Sequence, residues 1–250
     1  MKQKTKSRPA GDPVIWERPP PALRPAPEPL SRDSIVRAAL AIADRSGLAA
    51  VSLRRTAAAL KAGPMRLYGY VATKEDLLEL MVDAVFAEME STQPVNPDWK
   101  QGLRSIADRT RRTALRHPWL VDLLGGRPHQ GPHALAYLEE TLATLNQPSA
   151  FQDIDAVLLA ARTVNAYVIG AIRSEISELR ATVASGLNKE EWQATTGLYL
   201  QRMIATGRFP TLEEVMRDAT HPSADVVFDT GLRYVLEGIE GQFSHLRKDG

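Results

Sequence analysis

Residues 52–78, SLRRTAAALKAGPMRLYGYVATKEDLL, decide the fold of this chain. Ser52 suits a helix N-cap, because its hydroxyl can accept a backbone N–H that the first turn leaves free, and the helix it opens runs to about Leu60. Lys61-Ala62-Gly63 interrupts the pattern, and Pro64 then stands in a first helical turn, where its missing N–H costs nothing. Thr73 and Asp76 form a capping box for the next helix, whose apolar face is Leu77, Met81, Ala84 and Val85. A helix, a tight turn and a second short helix make the helix-turn-helix plan. Just upstream, Ser31 caps a first helix with Ile35, Val36, Ala39, Leu40 and Ile42 at helical spacing, ended by Gly47.

The net charge of the whole chain is only +1, so attraction to a polyanion has to come from local clustering. Between Val51 and Lys74 there is no Asp or Glu, while Arg54, Arg55, Lys61, Arg66 and Lys74 are basic. On the short third helix Arg66 suits guanine O6 and N7 in a major groove, and Tyr68, Tyr70 and Lys74 suit phosphate oxygens. The competing reading is a solvated helical face on an ordinary bundle, but that gives no reason for an acid-free stretch in a three-helix context. Tyr68 also has a core reading, since a tyrosine at a helix end can bury its ring and keep its hydroxyl outward.

Three runs carry a family resemblance: Leu53-Arg54-Arg55-Thr56-Ala57-Ala58-Ala59-Leu60, Met65-Arg66-Leu67-Tyr68-Gly69-Tyr70-Val71, and Thr73-Lys74-Glu75-Asp76-Leu77-Leu78. They resemble the DNA-binding domain of the tetracycline-repressor (TetR) family across about residues 31–90. The resemblance implies an all-α protein: a three-helix DNA-binding domain, a fourth helix linking to a larger helical ligand-binding and dimerisation domain over 91–250, and a homodimer on a palindromic operator in double-stranded DNA. It places Arg54, Met65, Arg66 and Gly69 near bases, Ser52, Tyr68, Tyr70 and Lys74 near the DNA backbone, and Leu67 in the core. It also implies release by a small-molecule inducer. One residue departs from the pattern, because the turn usually has Gly where this chain has Lys61, and a non-Gly residue held left-handed costs roughly 1–2 kcal/mol. Either Lys61 accepts that strain or Gly63 takes the role.

The rest of the chain reads as helix throughout, at about 98–116, 118–124, 133–146, 153–183, 189–206 and 223–246, and nothing reads as a strand. Gly125-Gly126-Arg127-Pro128, Gln147-Pro148, Gly186, Phe209-Pro210 and His221-Pro222 mark the connections. Residues 1–30 hold eight of the 17 prolines, which excludes helix and favours an extended tail. Lys2, Lys4, Lys6 and Arg8 make that tail either a solvated linker, the favoured reading, or an arm that adds phosphate contacts.

Composition narrows the function classes. Hydrophobic residues at 44% and charged residues at 24% are the balance of a soluble globular chain. Charges or prolines interrupt every apolar run, so no membrane span is expected, and the prolines at 19–21 replace the apolar segment of a signal peptide. The expected location is the cytoplasm, which the absence of cysteine fits. No cofactor or metal is expected, because the five histidines lack ligand spacing, and no phosphate loop, zinc-protease helix or serine elbow is present. An enzyme on a helical scaffold remains the alternative, as does a DNA-binding protein that needs no ligand. The latter gives no use for some 150 further helical residues.

Polar and aromatic side chains among apolar helical positions, namely His117, Trp119, Asn165, Tyr167 and Arg173, are the candidates for a ligand pocket. Taken singly, each also reads as an ordinary core or surface residue. Two apolar stripes, Ile154, Leu158, Ala161, Val168, Ile172, Ile176 and Leu179, then Phe228, Leu232, Val235, Ile239 and Phe243, are expected to form a four-helix dimer interface, because an operator-reading helix-turn-helix needs two copies at a fixed spacing; the competing reading is packing within one subunit. If the tail is a linker, deleting residues 1–30 leaves the salt dependence of DNA binding unchanged. A flatter slope would instead identify an arm on the phosphates.

Overall fold

The computed structural model describes residues 30–126, 129–147, 151, 153–186 and 189–246, the side chains of 189–196 and 243–246 excepted. The basic tail and the Phe243 side chain therefore lie outside the described residues. In order along the chain come α1 (Arg32–Ser46), α2 (Leu53–Ala59), α3 (Pro64–Leu67), α4 (Lys74–Ala87), α5 (Trp99–Arg116), α6 (Pro132–Leu145), α7 (Ile154–Ser185), α8 (Lys189–Ile204), α9 (Pro210–Asp218) and α10 (Ala224–Leu246). Two 3-10 turns, Leu48–Ala50 and Pro118–Asp122, join α1 to α2 and follow α5, and no strand occurs among the described residues. The protein is all-α.

Side-chain caps start α1, α2 and α4, and one small core joins the first three helices. Ser31 and Ser34 form a reciprocal capping box on α1, Ser52 accepts the Arg55 N–H on α2, and Thr73 with Asp76 caps α4. Ile35, Ala39, Val51, Ala57 and Leu67 are fully buried between them. In the turn between α2 and α3 the left-handed conformation falls on Lys61, at φ 51°, whereas Gly63 is extended at φ −69° and ψ 138°. The strain is therefore real and sits on the lysine. Ala62 N–H closes the turn on the Ala57 carbonyl at 2.9 Å, and Pro64 opens α3.

α4 leaves this unit and enters the remainder of the molecule, packing on α1 on one side and on α6 on the other. Asp83 of α4 ties the two together, because its Oδ1 accepts the backbone N–H groups of His133 and Ala134, each at 3.0 Å. The first turn of α6 has no side-chain cap of its own, so α4 supplies one. Gly131 is required at this approach, since a Cβ there would stand 2.1 Å from the Asp83 carboxylate.

The long helix α7 forms the spine of the second part and packs on α10, α6 and α5. Arg111 of α5 joins three of these helices. Its Nε and Nη2 donate to the Glu175 carboxylate at 2.8 Å each, Nη2 also reaches Asp225 at 2.6 Å, and the guanidinium lies 5.0 Å from the Phe228 ring centre. These partners raise the Arg111 pKa, so the cation is permanent; the hydrogen bond to Glu175 is the largest contribution.

Three expectations change. Phe209-Pro210 begins a helix, α9, because Pro is harmless at the first helical position. α7 is long and apolar enough by composition to cross a membrane, with a mean hydropathy of 1.4, where no such segment was expected; its packing against α5, α6 and α10 gives that apolarity another use. Most of the two stripes is core within the subunit: Ala161, Val168, Ile172, Ile176, Phe228, Leu232 and Ile239 are buried. What α7 and α10 leave exposed includes Ile154, Leu158 and Leu179 from the first stripe together with Val183, Val227 and Tyr234, which belong to neither.

Replacing Lys61 by Gly removes the left-handed penalty but adds unfolded-chain entropy, so stability rises by roughly 0.5–1 kcal/mol. Urea unfolding measures this, and an unchanged midpoint would mean that the turn carries no strain.

Candidate functional site

The α2–α3 unit presents a basic, acid-free face. Arg54, Arg66, Gly69 and the side chains of Met65, Tyr68 and Tyr70 are exposed, and Met65 stands out at 81%. Leu67, on the opposite side of α3, is fully buried and anchors the helix. Neither Arg54, Arg66 nor Lys74 forms an ion pair with any described residue. Arg55 differs, because its Nη2 reaches Ser46 Oγ at 3.5 Å. Ser52 is committed to its capping bond with the Arg55 N–H at 3.2 Å, so its hydroxyl fixes the start of α2. An exposed methionine and unpaired arginines flanked by tyrosine hydroxyls are the groups that can meet base edges and phosphates.

A cavity of about 560 Å³ lies between α4, α5, α6 and α7. Its walls are mostly apolar, with Leu103 and Ile106 from α5 facing Val164 and Val168 from α7. α4 itself contributes Phe86, and Met89 just beyond its end also lines the space. The Phe86 ring stands 5.2 Å from that of Tyr137 on α6. Thr110 gives its proton to the Ile106 carbonyl at 2.9 Å, so the Tyr137 hydroxyl, also 2.9 Å away, donates to Thr110 Oγ1. Burial pushes the Tyr137 pKa up, which keeps it a neutral hydroxyl. His129 lines the cavity and touches the Glu79 carboxylate of α4 at 3.1 Å and the Leu123 carbonyl at 3.3 Å.

Of the five residues expected in a pocket, Asn165 and Arg173 line this cavity and three do not. His117 and Trp119 are buried at the junction with α1: His117 Nδ1 lies 2.8 Å from Asp44 Oδ1, its Nε2 lies 3.3 Å from the Glu88 carboxylate, and Trp119 Nε1 donates to Asp44 at 2.7 Å. Tyr167 faces α10, where its hydroxyl donates to the Phe228 carbonyl at 2.9 Å. Each has a polar tip whose partner comes from an element far along the chain, and helical spacing does not register such a partner. Thr110, Tyr137, Thr141 and His129 were missed. Thr110 and Thr141 lie on the buried faces of amphipathic helices, where a hydroxyl among apolar positions was the available signal.

Arg173 connects the cavity to the junction, since its Nη2 donates to the carbonyls of Val121 at 2.8 Å and Leu124 at 3.0 Å, around the 3-10 turn that carries Trp119.

Residues 93–243 match the family model of the tetracyclin repressor-like C-terminal domain. The chain is 36% identical over 232 residues to the HTH-type transcriptional repressor DrrR1 of Streptomyces coeruleorubidus, covering 91% of this chain and 83% of that protein. It is 25% identical over 219 residues to the class E tetracycline repressor protein of Escherichia coli, covering 85% and 92%. Among solved structures, the Streptomyces coelicolor TetR family protein ActR in complex with actinorhodin superposes with a TM-score of 0.72 at 28% identity, over 86% of this chain and 97% of that one. With an exposed basic face on α2–α3, an α4 that reaches a cavity, and a family model spanning more than half its length, the chain belongs to the tetracycline-repressor (TetR) family of helix-turn-helix transcriptional regulators.

Proposed function

We propose that this protein is a homodimeric cytoplasmic repressor that occupies a palindromic operator and leaves it when a small molecule fills the cavity between α4 and α7. One observation carries the reading: α4 begins directly after the basic face, at Lys74, and near its other end places Phe86 in the cavity wall. A ligand that pushes on Phe86 or Met89 pushes on the helix that packs on α1, and through α1 and α2 on the unit that carries α3. Relatives named as repressors, and a related structure holding a small molecule, support regulation rather than enzymatic turnover.

In this mechanism residues 31–90 bind DNA and the remainder binds ligand and the second subunit. Arg54, Met65, Arg66 and Gly69 face bases, while Ser52, Tyr68, Tyr70 and Lys74 lie against the DNA backbone. Two copies of α3 fit successive major grooves only when held about 34–36 Å apart. The exposed Leu179, Val183, Val227 and Tyr234 of α7 and α10 supply apolar surface for the dimer that holds them so. Ligand and operator then oppose each other by linkage, each weakening the other by the same factor.

Two connections carry the motion. The first is direct, through Phe86, the His129–Glu79 contact and the Asp83 cap, all of which attach α4 to the cavity and to α6. The second runs from Arg173 through the 3-10 turn to His117 and Trp119, and so to Asp44 of α1. Asn165 and Arg173 are polar groups of α7 in the cavity wall, Asn165 free to orient a ligand and Arg173 tied to the 3-10 turn.

Selection of bound duplexes from a random pool at near-physiological salt tests the reading, with a palindrome as the expected product. Recovery of nothing above background, with and without candidate ligands, would contradict it. Arg66→Ala costs about 1–3 kcal/mol of binding and relaxes one base position, whereas Lys74→Ala weakens all sequences alike. Asp44→Ala strands the Trp119 and His117 nitrogens at a buried junction and lowers stability by about 1–3 kcal/mol in urea unfolding. If the junction carries the signal, the same variant also binds operator with less response to ligand.

A further inference from the structure

The cavity carries formal charge of one sign. Its charged lining residues are Arg162 and Arg173, both on α7, and neither Asp nor Glu lines it. His129 is the other titratable side chain besides Tyr137, and it is already engaged with Glu79 outside the wall. The two arginines are used differently. Arg173 holds the Val121 and Leu124 carbonyls and so has a structural task. Arg162 is exposed and forms no hydrogen bond or ion pair with any described residue.

Its position is not accidental to the cavity. Leu158, Arg162, Asn165 and Ile169 recur at intervals of three or four residues, so they share one face of α7, and all four line the space. At 1.5 Å per residue, Arg162 lies about 16 Å along the helix from Arg173, at the other end of the cavity. Arg162 therefore stands toward one end of an apolar chamber, with the exposed Asn165 one turn further along the same face, and the interior has rings on α4 and α6, Phe86 and Tyr137. Tyr137 stays neutral inside that chamber, so nothing within it answers the guanidinium charge.

A cation bordering an apolar, partly enclosed space attracts an anion more strongly than it would in water, because the local dielectric is lower and the planar guanidinium can donate two parallel hydrogen bonds to an acid group. A cationic ligand would meet two like charges. We propose that the regulatory ligand is an apolar, ring-containing organic anion, with its acid group on Arg162 and its rings between Phe86, Tyr137 and the apolar faces of α5 and α7. This rests on the reading of the cavity as the ligand site.

Two fluorescent probes with the same ring framework test it on the full-length protein: 1-anilinonaphthalene-8-sulfonate, an anion, and N-phenyl-1-naphthylamine, which lacks the sulfonate. Arg162→Ala weakens the sulfonate dye about tenfold or more and leaves the neutral dye unchanged, and Arg162→Lys recovers part of the loss. Equal effects on both dyes, or no effect on the sulfonate, overturn the charge assignment. Asn165→Trp narrows the chamber one turn from Arg162 and weakens both dyes. If it changes neither, the dyes bind elsewhere and the cavity itself fails as the ligand site, a result distinct from failure of the Arg162 pairing.

Discussion

Along α4, Leu77, Met81, Val82 and Val85 are almost completely buried, covered by α1 on one side and α6 on the other. A helix with both flanks buried cannot slide without exposing apolar surface, at about 25 cal/mol for each Å² uncovered. It can only move with what it touches. Asp83 strengthens the constraint, because withdrawing its carboxylate would leave two N–H groups of α6 unpaired. The rest of the arrangement depends on this: α4 is packed too well to absorb a displacement on its own.

The opposite condition holds at the DNA face. α3 has four residues, one buried anchor at Leu67 and a preceding turn strained at Lys61. Such a short helix takes its orientation from the turn and from α2. The exposed Met65 and Arg66 thus have no side-chain partner among the described residues. A site built in this way keeps its reading groups outside while its supports remain inside the core.

The second part of the molecule uses charge as a structural element. Arg111 binds Glu175 and Asp225, Arg109 binds Glu140, and Arg180 binds Asp122, so α5, α6, α7 and α10 are registered against one another by fixed pairs. The half-exposed Arg180–Asp122 pair contributes little stability, whereas Arg111–Glu175 and Arg109–Glu140 are mostly buried and losing one partner of either would leave a charge poorly solvated. All of these pairs fix which helix face meets which. Arg162, in the cavity wall, forms no such pair with any described residue.

The sequence alone determined the features whose physics is local. Capping by Ser31, Ser52 and Thr73 acts within three residues, the helical repeat of apolar side chains acts within a turn, and the acid-free basic run is a property of a contiguous stretch. These placed the helices of the DNA-binding unit, the burial of Leu67 and the exposed basic face. The tertiary structure decided the cavity and the junction, because their groups meet across large separations: His117 finds Asp44 from 73 residues away, Trp119 from 75, and Tyr137 reaches Thr110 from 27. His117, Trp119 and Asn165 look alike along the chain, as polar or aromatic groups among apolar neighbours. Packing sent the first two to the domain junction and the third to the cavity, since a side chain's partner is set by which helix faces it, and helical periodicity specifies a face without specifying its neighbour.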